Sequence, residues 1–159
     1  MEQDEQENRK ERLESLLKKN KVRLARENII KTFKHDLQYE LTKDQFIDLE
    51  IANNLLRLTY KKIPQVESSK FIRYEEVLSE ILRLKKCIQI DSSALAVFYY
   101  LDKLKAGGMK IPLKDCWELI ERIGNTPRSD IVVVEEHAVF GLCVELDEHS
   151  YSVAYWGLI

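Results

Sequence analysis

Residues 130–159 read DIVVVEEHAVFGLCVELDEHSYSVAYWGLI, and the period of this stretch decides the fold class. Apolar residues recur at every second position, and β-branched and aromatic side chains dominate, which is the pattern of half-buried strands. Ile131–Glu135, Val139–Leu146 and Tyr151–Leu158 read as three strands. Glu136-His137 and Asp147–Ser150 supply the tight turns of an antiparallel meander. Within it Phe140, Leu142, Val144 and Leu146 share one face, and Val139, Gly141, Cys143 and Glu145 share the other. Tyr151 and Tyr155 point to one side of the last strand and Trp156 to the opposite side.

A three-stranded sheet needs a cover, and only helices upstream are available to provide it. Going back along the chain, Pro112 opens a short helix that runs to Ile123 and stops at Gly124. Asp91-Ser-Ser93 reads as the N-cap of a helix from Ala94 to Lys105, with Gly107-Gly108 as its stop. A helix from about Arg73 to Lys86 turns Val77, Leu78, Ile81, Leu82 and Leu84 inward. Thr42 and Gln45 form a capping box that starts a central helix, and Pro64 ends it. Residues 9–37 form a long basic helix with Leu13, Leu16, Leu17, Leu24, Ile30 and Phe33 at helical spacing, and Asn20 falls on that stripe as a break. The expected fold is therefore α+β, with N-terminal helices (about five by period) packed on a C-terminal three-stranded meander.

The 159-residue chain, 45% hydrophobic and 33% charged, suits one domain spanning residues 1–159. Residues 1–10 read as disordered. No run approaches the roughly 20 apolar residues of a membrane span, and the N-terminus MEQDEQENRKER lacks the apolar core of a signal peptide. A cytoplasmic protein without membrane contact is expected. Cys87, Cys116 and Cys143 stand far apart among apolar neighbours, as buried thiols in a reducing compartment.

Charge is strongly segregated along the chain. Residues 9–37 hold ten Lys or Arg against four acids, a local charge of +6. Residues 130–158, the acidic meander, hold six acids and neither Lys nor Arg. Such asymmetry concerns partners more than fold.

Catalytic, cofactor and metal motifs are missing. The chain has no GxGxxG, phosphate loop, HExxH, GxSxG or zinc half-site, so the expectation is a non-enzyme that holds neither cofactor nor metal. Glu135-Glu136-His137 and Asp147-Glu148-His149 could gather into one site only if their turns met, and successive turns of a meander lie at opposite ends. Asp130 and Glu145 evoke an acidic nuclease core, but no lysine within residues 130–159 could steady a phosphate there. The remaining reading is protein binding. Glu135, Glu136, Glu145, Asp147 and Glu148 would steer a basic partner, while Tyr151, Tyr155 and Trp156, on a strand read as a sheet edge, would anchor it. The alternative is a nucleic-acid-binding regulator using the basic helix.

The ending FGLCVELDEHSYSVAYWG and the charged helix ENRKERLESLLKKNKVRLARENI resemble, in architecture, the immunity proteins of bacterial toxin systems. The resemblance includes no motif and transfers no residue roles. It implies an inhibitor that occludes a toxin domain, often a basic nuclease, through its acidic sheet.

Overall fold

The computed structural model describes residues 1–159. Its centre is a six-stranded, wholly antiparallel sheet in the order β1-β6-β5-β4-β2-β3. The strands are β1 (Ser68–Phe71), β2 (Leu95–Tyr99), β3 (Met109–Pro112), β4 (Ile131–Val134), β5 (Gly141–Leu146) and β6 (Tyr151–Trp156). Five α-helices accompany it: α1 (Glu2–Leu37), α2 (Leu49–Lys62), α3 (Tyr74–Cys87), the single turn α4 (Lys103–Ala106) and α5 (Leu113–Ile123). None of the helices is long and apolar enough to cross a membrane.

The α+β class and the β4–β5–β6 meander agree with the sequence reading, but the sheet has twice the expected strands. The largest departure lies in residues 94–105. Asp91 is not a helix cap: its carboxylate accepts from the Ser93 amide and hydroxyl, both at 2.8 Å, closing a local turn that leads into a strand. Leu95-Ala-Val-Phe-Tyr99 then runs between β3 and β4. Ala96 and Phe98 enter one core and Val97 and Tyr99 another, so every residue after Leu95 is buried and the polar alternation that marks a strand is absent. Leu101 and Asp102, both at positive φ, turn the chain into α4. Gly107-Gly108 does end a helix, but only this one turn. Gly108 also lets β3 begin against β2, since a Cβ there would lie 2.5 Å from Val97 and 2.9 Å from the Tyr99 ring.

Helices cover both faces of the sheet. On one side α1, α3 and α5 bury Phe33, Leu37, Val77, Ile81, Leu119 and Ile120 against Phe98, Ile131, Leu142, Val144 and Val153. Phe33 meets Phe98 edge to face at 6.3 Å between centroids. On the other side α2 packs Ala52, Leu55 and Leu56 on Val97, Tyr99, Val132, Val134, Cys143 and Trp156, and the buried Tyr99 hydroxyl donates to Ala52 O at 2.7 Å. The Thr42–Gln45 capping box is present, although it closes a 3₁₀ turn (Lys43–Gln45). Helix α2 is capped by Asp48, whose carboxylate accepts from the Glu50 and Ile51 amides.

Helix α1 runs without a break from Glu2 to Leu37, and Asn20 accepts a bond from Arg23 within the helix. Its buried residues are Ala25, Ile29, Phe33 and Leu37, at four-residue spacing. Arg26 fixes the helix to the body by donating to Ala106 O at 3.0 Å and Ile47 O at 2.8 Å while stacking on Phe46. Arg122 donates to the carbonyls of Leu37 and Gln38, both at 2.9 Å, which satisfies acceptors that the helix end leaves free. Cys116 and Cys143 are buried as expected, but Cys87, at the end of α3, is exposed.

Candidate functional site

The sheet register separates the eight predicted partner-binding residues into two groups. Leu146 faces Tyr151 at one end of the β5–β6 pair, and Gly141 faces Trp156 at the other. Glu145, Asp147, Glu148 and Tyr151 therefore lie at one end. Glu135, Glu136, Tyr155 and Trp156 lie towards the opposite end, with the six residues of β5, roughly 20 Å of extended chain, between the two turns. Strand β6 is also not an edge, because β1 pairs along it from Ser68↔Ala154 to Phe71↔Tyr151. The aromatic residues of β6 also make contacts within the chain. Tyr151 packs edge-on against the buried Tyr74 at 5.8 Å, Tyr155 packs partly buried on the larger core, and Trp156 is buried with its indole N–H donating to Ala138 O at 2.9 Å.

At the β4–β5 turn the acids are occupied locally. Glu135 accepts from the amides of His137 and Val139, both at 3.0 Å, and lies 3.2 Å from His137 Nδ1. Glu136 pairs with Lys110 of β3 at 2.8 Å, and that lysine holds its carboxyl below the ordinary range. Glu135, Glu136 and His137 offer ligand atoms within 4.8 Å of one another. The bonds just described account for that proximity as turn structure.

The other end has a different arrangement. Asp130, just before β4, accepts the Leu146 amide at 2.8 Å and the Tyr60 hydroxyl at 2.9 Å. Lys103, brought in by the turn after β2, approaches Asp130 to 3.8 Å. Glu145 projects from the α2 side of β5 next to this network, half-buried and without a paired cation within 4.0 Å. Burial, then the neighbouring Asp130, raises its pKa above the ordinary glutamate value, and Lys103 opposes them only in part. Asp147 and Glu148 continue the acidic surface into the exposed turn, which closes through Asp147 N to Ser150 O at 2.8 Å. Beside the acids, Asn53, Leu56, Arg57, Tyr60, Lys61 and Lys103 line a cleft of about 520 Å³.

Tyr60, Asp130 and Lys103 were not among the predicted site residues. Asp130 was set aside because no lysine follows it in the sequence, yet the β2–β4 pairing brings Lys103 to it from 27 positions upstream. A lysine search confined to residues 130–159 could not find that contact. The basic helix, by contrast, forms no ion pair with the acidic meander. The acids of residues 130–159 that pair at all use Lys103 and Lys110, besides His137 of the turn itself.

Comparison with family models finds one match, described as YxiF protein, over residues 29–156. The chain belongs to the YxiF family. The YxiF match takes in the whole sheet, α2 to α5 and the part of α1 that is buried from Ile29 onward. It omits residues 1–28, which include the exposed portion of α1. The YxiF description names no activity. No curated protein and no solved structure matches the chain.

Proposed function

We propose that this YxiF-family chain is a non-enzymatic, cytoplasmic protein-binding inhibitor of the immunity type, which captures a basic protein through the acidic end of its sheet. The observation that carries the reading is the charge imbalance around Lys103, where one lysine serves both Asp130 and the half-buried Glu145. A carboxylate partly removed from water beside another carboxylate gains more from an incoming Arg or Lys than a solvated surface acid does. Asp147 and Glu148 extend the same sign outward, where they would steer the encounter. Tyr60 and the cleft lined by Arg57 and Lys61 border the acids and would fix the partner's register. Glu145, Asp147 and Glu148 are the docking acids in this reading. Glu135, Glu136, Tyr155 and Trp156 leave the docking set because their contacts within the chain already explain them, and Tyr151 retains only its exposed edge.

The test is affinity capture on the tagged chain, comparing the wild type with a Glu145→Lys, Asp147→Lys, Glu148→Lys triple variant at low and high salt. A basic protein retained by the wild type and lost by the folded variant supports the reading. Equal retention by both removes the assignment. Recovery of nucleic acid that washes off with salt and depends on residues 1–26 would instead favour a regulator that uses the basic helix.

A further inference from the structure

The cleft of about 520 Å³ between α2 and α4 is lined by three cations, Arg57, Lys61 and Lys103, and by no acid. Its long wall follows from helical period. Asn53, Leu56, Arg57, Tyr60 and Lys61 stand at i, i+3, i+4, i+7 and i+8, one stripe of α2 beside the stripe that is buried on the sheet. Lys103 and Leu104 of α4 form the opposite wall, with Leu104 74% exposed. Two consecutive left-handed residues set that wall in place, Leu101 at φ 62° and Asp102 at φ 43°. A leucine adopts such backbone only at a cost in energy.

The three cations are unequally used. Lys103 lies 3.8 Å from Asp130. Arg57 forms no ion pair and donates only to the neutral Asn54 Oδ1 at 3.1 Å, and Lys61 has no partner in the chain. Arg57 and Lys61 are one helical turn apart, where like charges repel. An anion seated between them removes that repulsion and accepts hydrogen bonds from both. The basic cleft beside α1 differs, because Glu27 and Asp48 line it and Arg23 and Arg26 are engaged within the chain. The two uncompensated charges on α2 match the charge of about −1.5 to −2 that a phosphate monoester carries at neutral pH. Leu56, Leu104 and Tyr60, whose hydroxyl is held by Asp130, add apolar surface next to the cations. The volume falls within the range of about 300–1,000 Å³ that small-molecule sites occupy. We propose that this cleft binds a small phosphate monoester with a flat apolar body. Arg57 and Lys61 hold the phosphate, and Leu56, Tyr60 and Leu104 cover the body. The site does not rest on the protein-binding reading, which concerns Glu145, Asp147 and Glu148.

Titration of phenyl phosphate into the isotope-labelled full chain, followed by backbone amide chemical shifts, tests this without any partner protein. Saturable shifts are expected at residues 53–61 and 103–104. Affinity should fall roughly tenfold or more in the Arg57→Gln, Lys61→Gln variant, the loss of charged hydrogen bonds. Both positions are exposed, so the variant should keep its melting temperature, and it retains the three docking acids. Inorganic phosphate, which lacks the apolar body, should bind more weakly than phenyl phosphate. Shifts that never saturate, shifts as large at Lys18 and Lys19 as in the cleft, or an unchanged affinity in the folded variant would each overturn the proposal. Equal affinity for inorganic phosphate overturns it as well, because the apolar walls would then contribute nothing.

Discussion

The Tyr60 hydroxyl donates to Asp130 at 2.9 Å across seventy positions of sequence, tying the last turn of α2 to the entrance of β4. The same carboxylate holds the Leu146 amide at the far end of β5. One side chain thus fixes a helix and two strands at the acidic end of the sheet. Tyr60→Phe removes one hydrogen bond from this junction while keeping the ring in place. A loss of about 1 kcal/mol is expected, measurable as a lowered denaturation midpoint with an unchanged slope.

Glu145 gives that end a pH dependence of definite sign. Its folded-state pKa lies above the ordinary value of 4.5 because of burial and then Asp130, so the folded chain binds this proton more tightly than the unfolded chain does. Its contribution favours folding at acid pH and is lost as pH rises through the window from about 4.5 upward. Glu145→Gln should flatten that part of the stability–pH curve and leave the variant at least as stable as the wild type at neutral pH. A series of urea titrations from pH 4 to pH 8 (roughly the span where linkage acts) reads this directly.

Gly141 is required by packing. A Cβ there would stand 2.4 Å from the Trp156 ring, its partner in the β5–β6 register. Gly141→Ala must push the indole aside and strain its bond to Ala138 O. Overpacking of this kind costs about 1–3 kcal/mol. Trp156 fluorescence should shift in the native state as well as in the melting curve.

The N-terminal half of α1 and the body should separate cleanly. Every residue from Met1 to Lys21 is exposed, and burial begins with Val22 and Ala25. Deleting residues 1–20 should change the melting temperature little. Phe33→Ala, which vacates the site against Phe98 and Tyr100, should cost about 3–5 kcal/mol.

What the sequence disclosed follows from how each element meets water. Strands β4 to β6 were legible because their turns are polar and β-branched residues dominate the runs between them. Helix α3 was legible from its apolar face, and helix α5 from Pro112 at its start and Gly124 at its stop. Strand β2 was hidden because helices cover the sheet on both sides, so Ala96 to Tyr99 show no alternation. Strand β1, Ser-Ser-Lys-Phe, was hidden because it is short, polar and exposed at the sheet edge. Missing β1 also turned β6 into a false edge. Glu145, Asp147 and Glu148 were found by charge alone. Lys103 and Tyr60 depend on pairings between distant segments, for which residue spacing holds no signal.

The most direct measurement of the docking claim is calorimetric titration of the captured partner protein into the wild-type chain and into the folded Glu145→Lys, Asp147→Lys, Glu148→Lys variant. The account predicts saturable binding to the wild type that weakens with salt and at least a hundredfold loss of affinity in the variant, about 2.7 kcal/mol or more. An unchanged dissociation constant in the variant would contradict it.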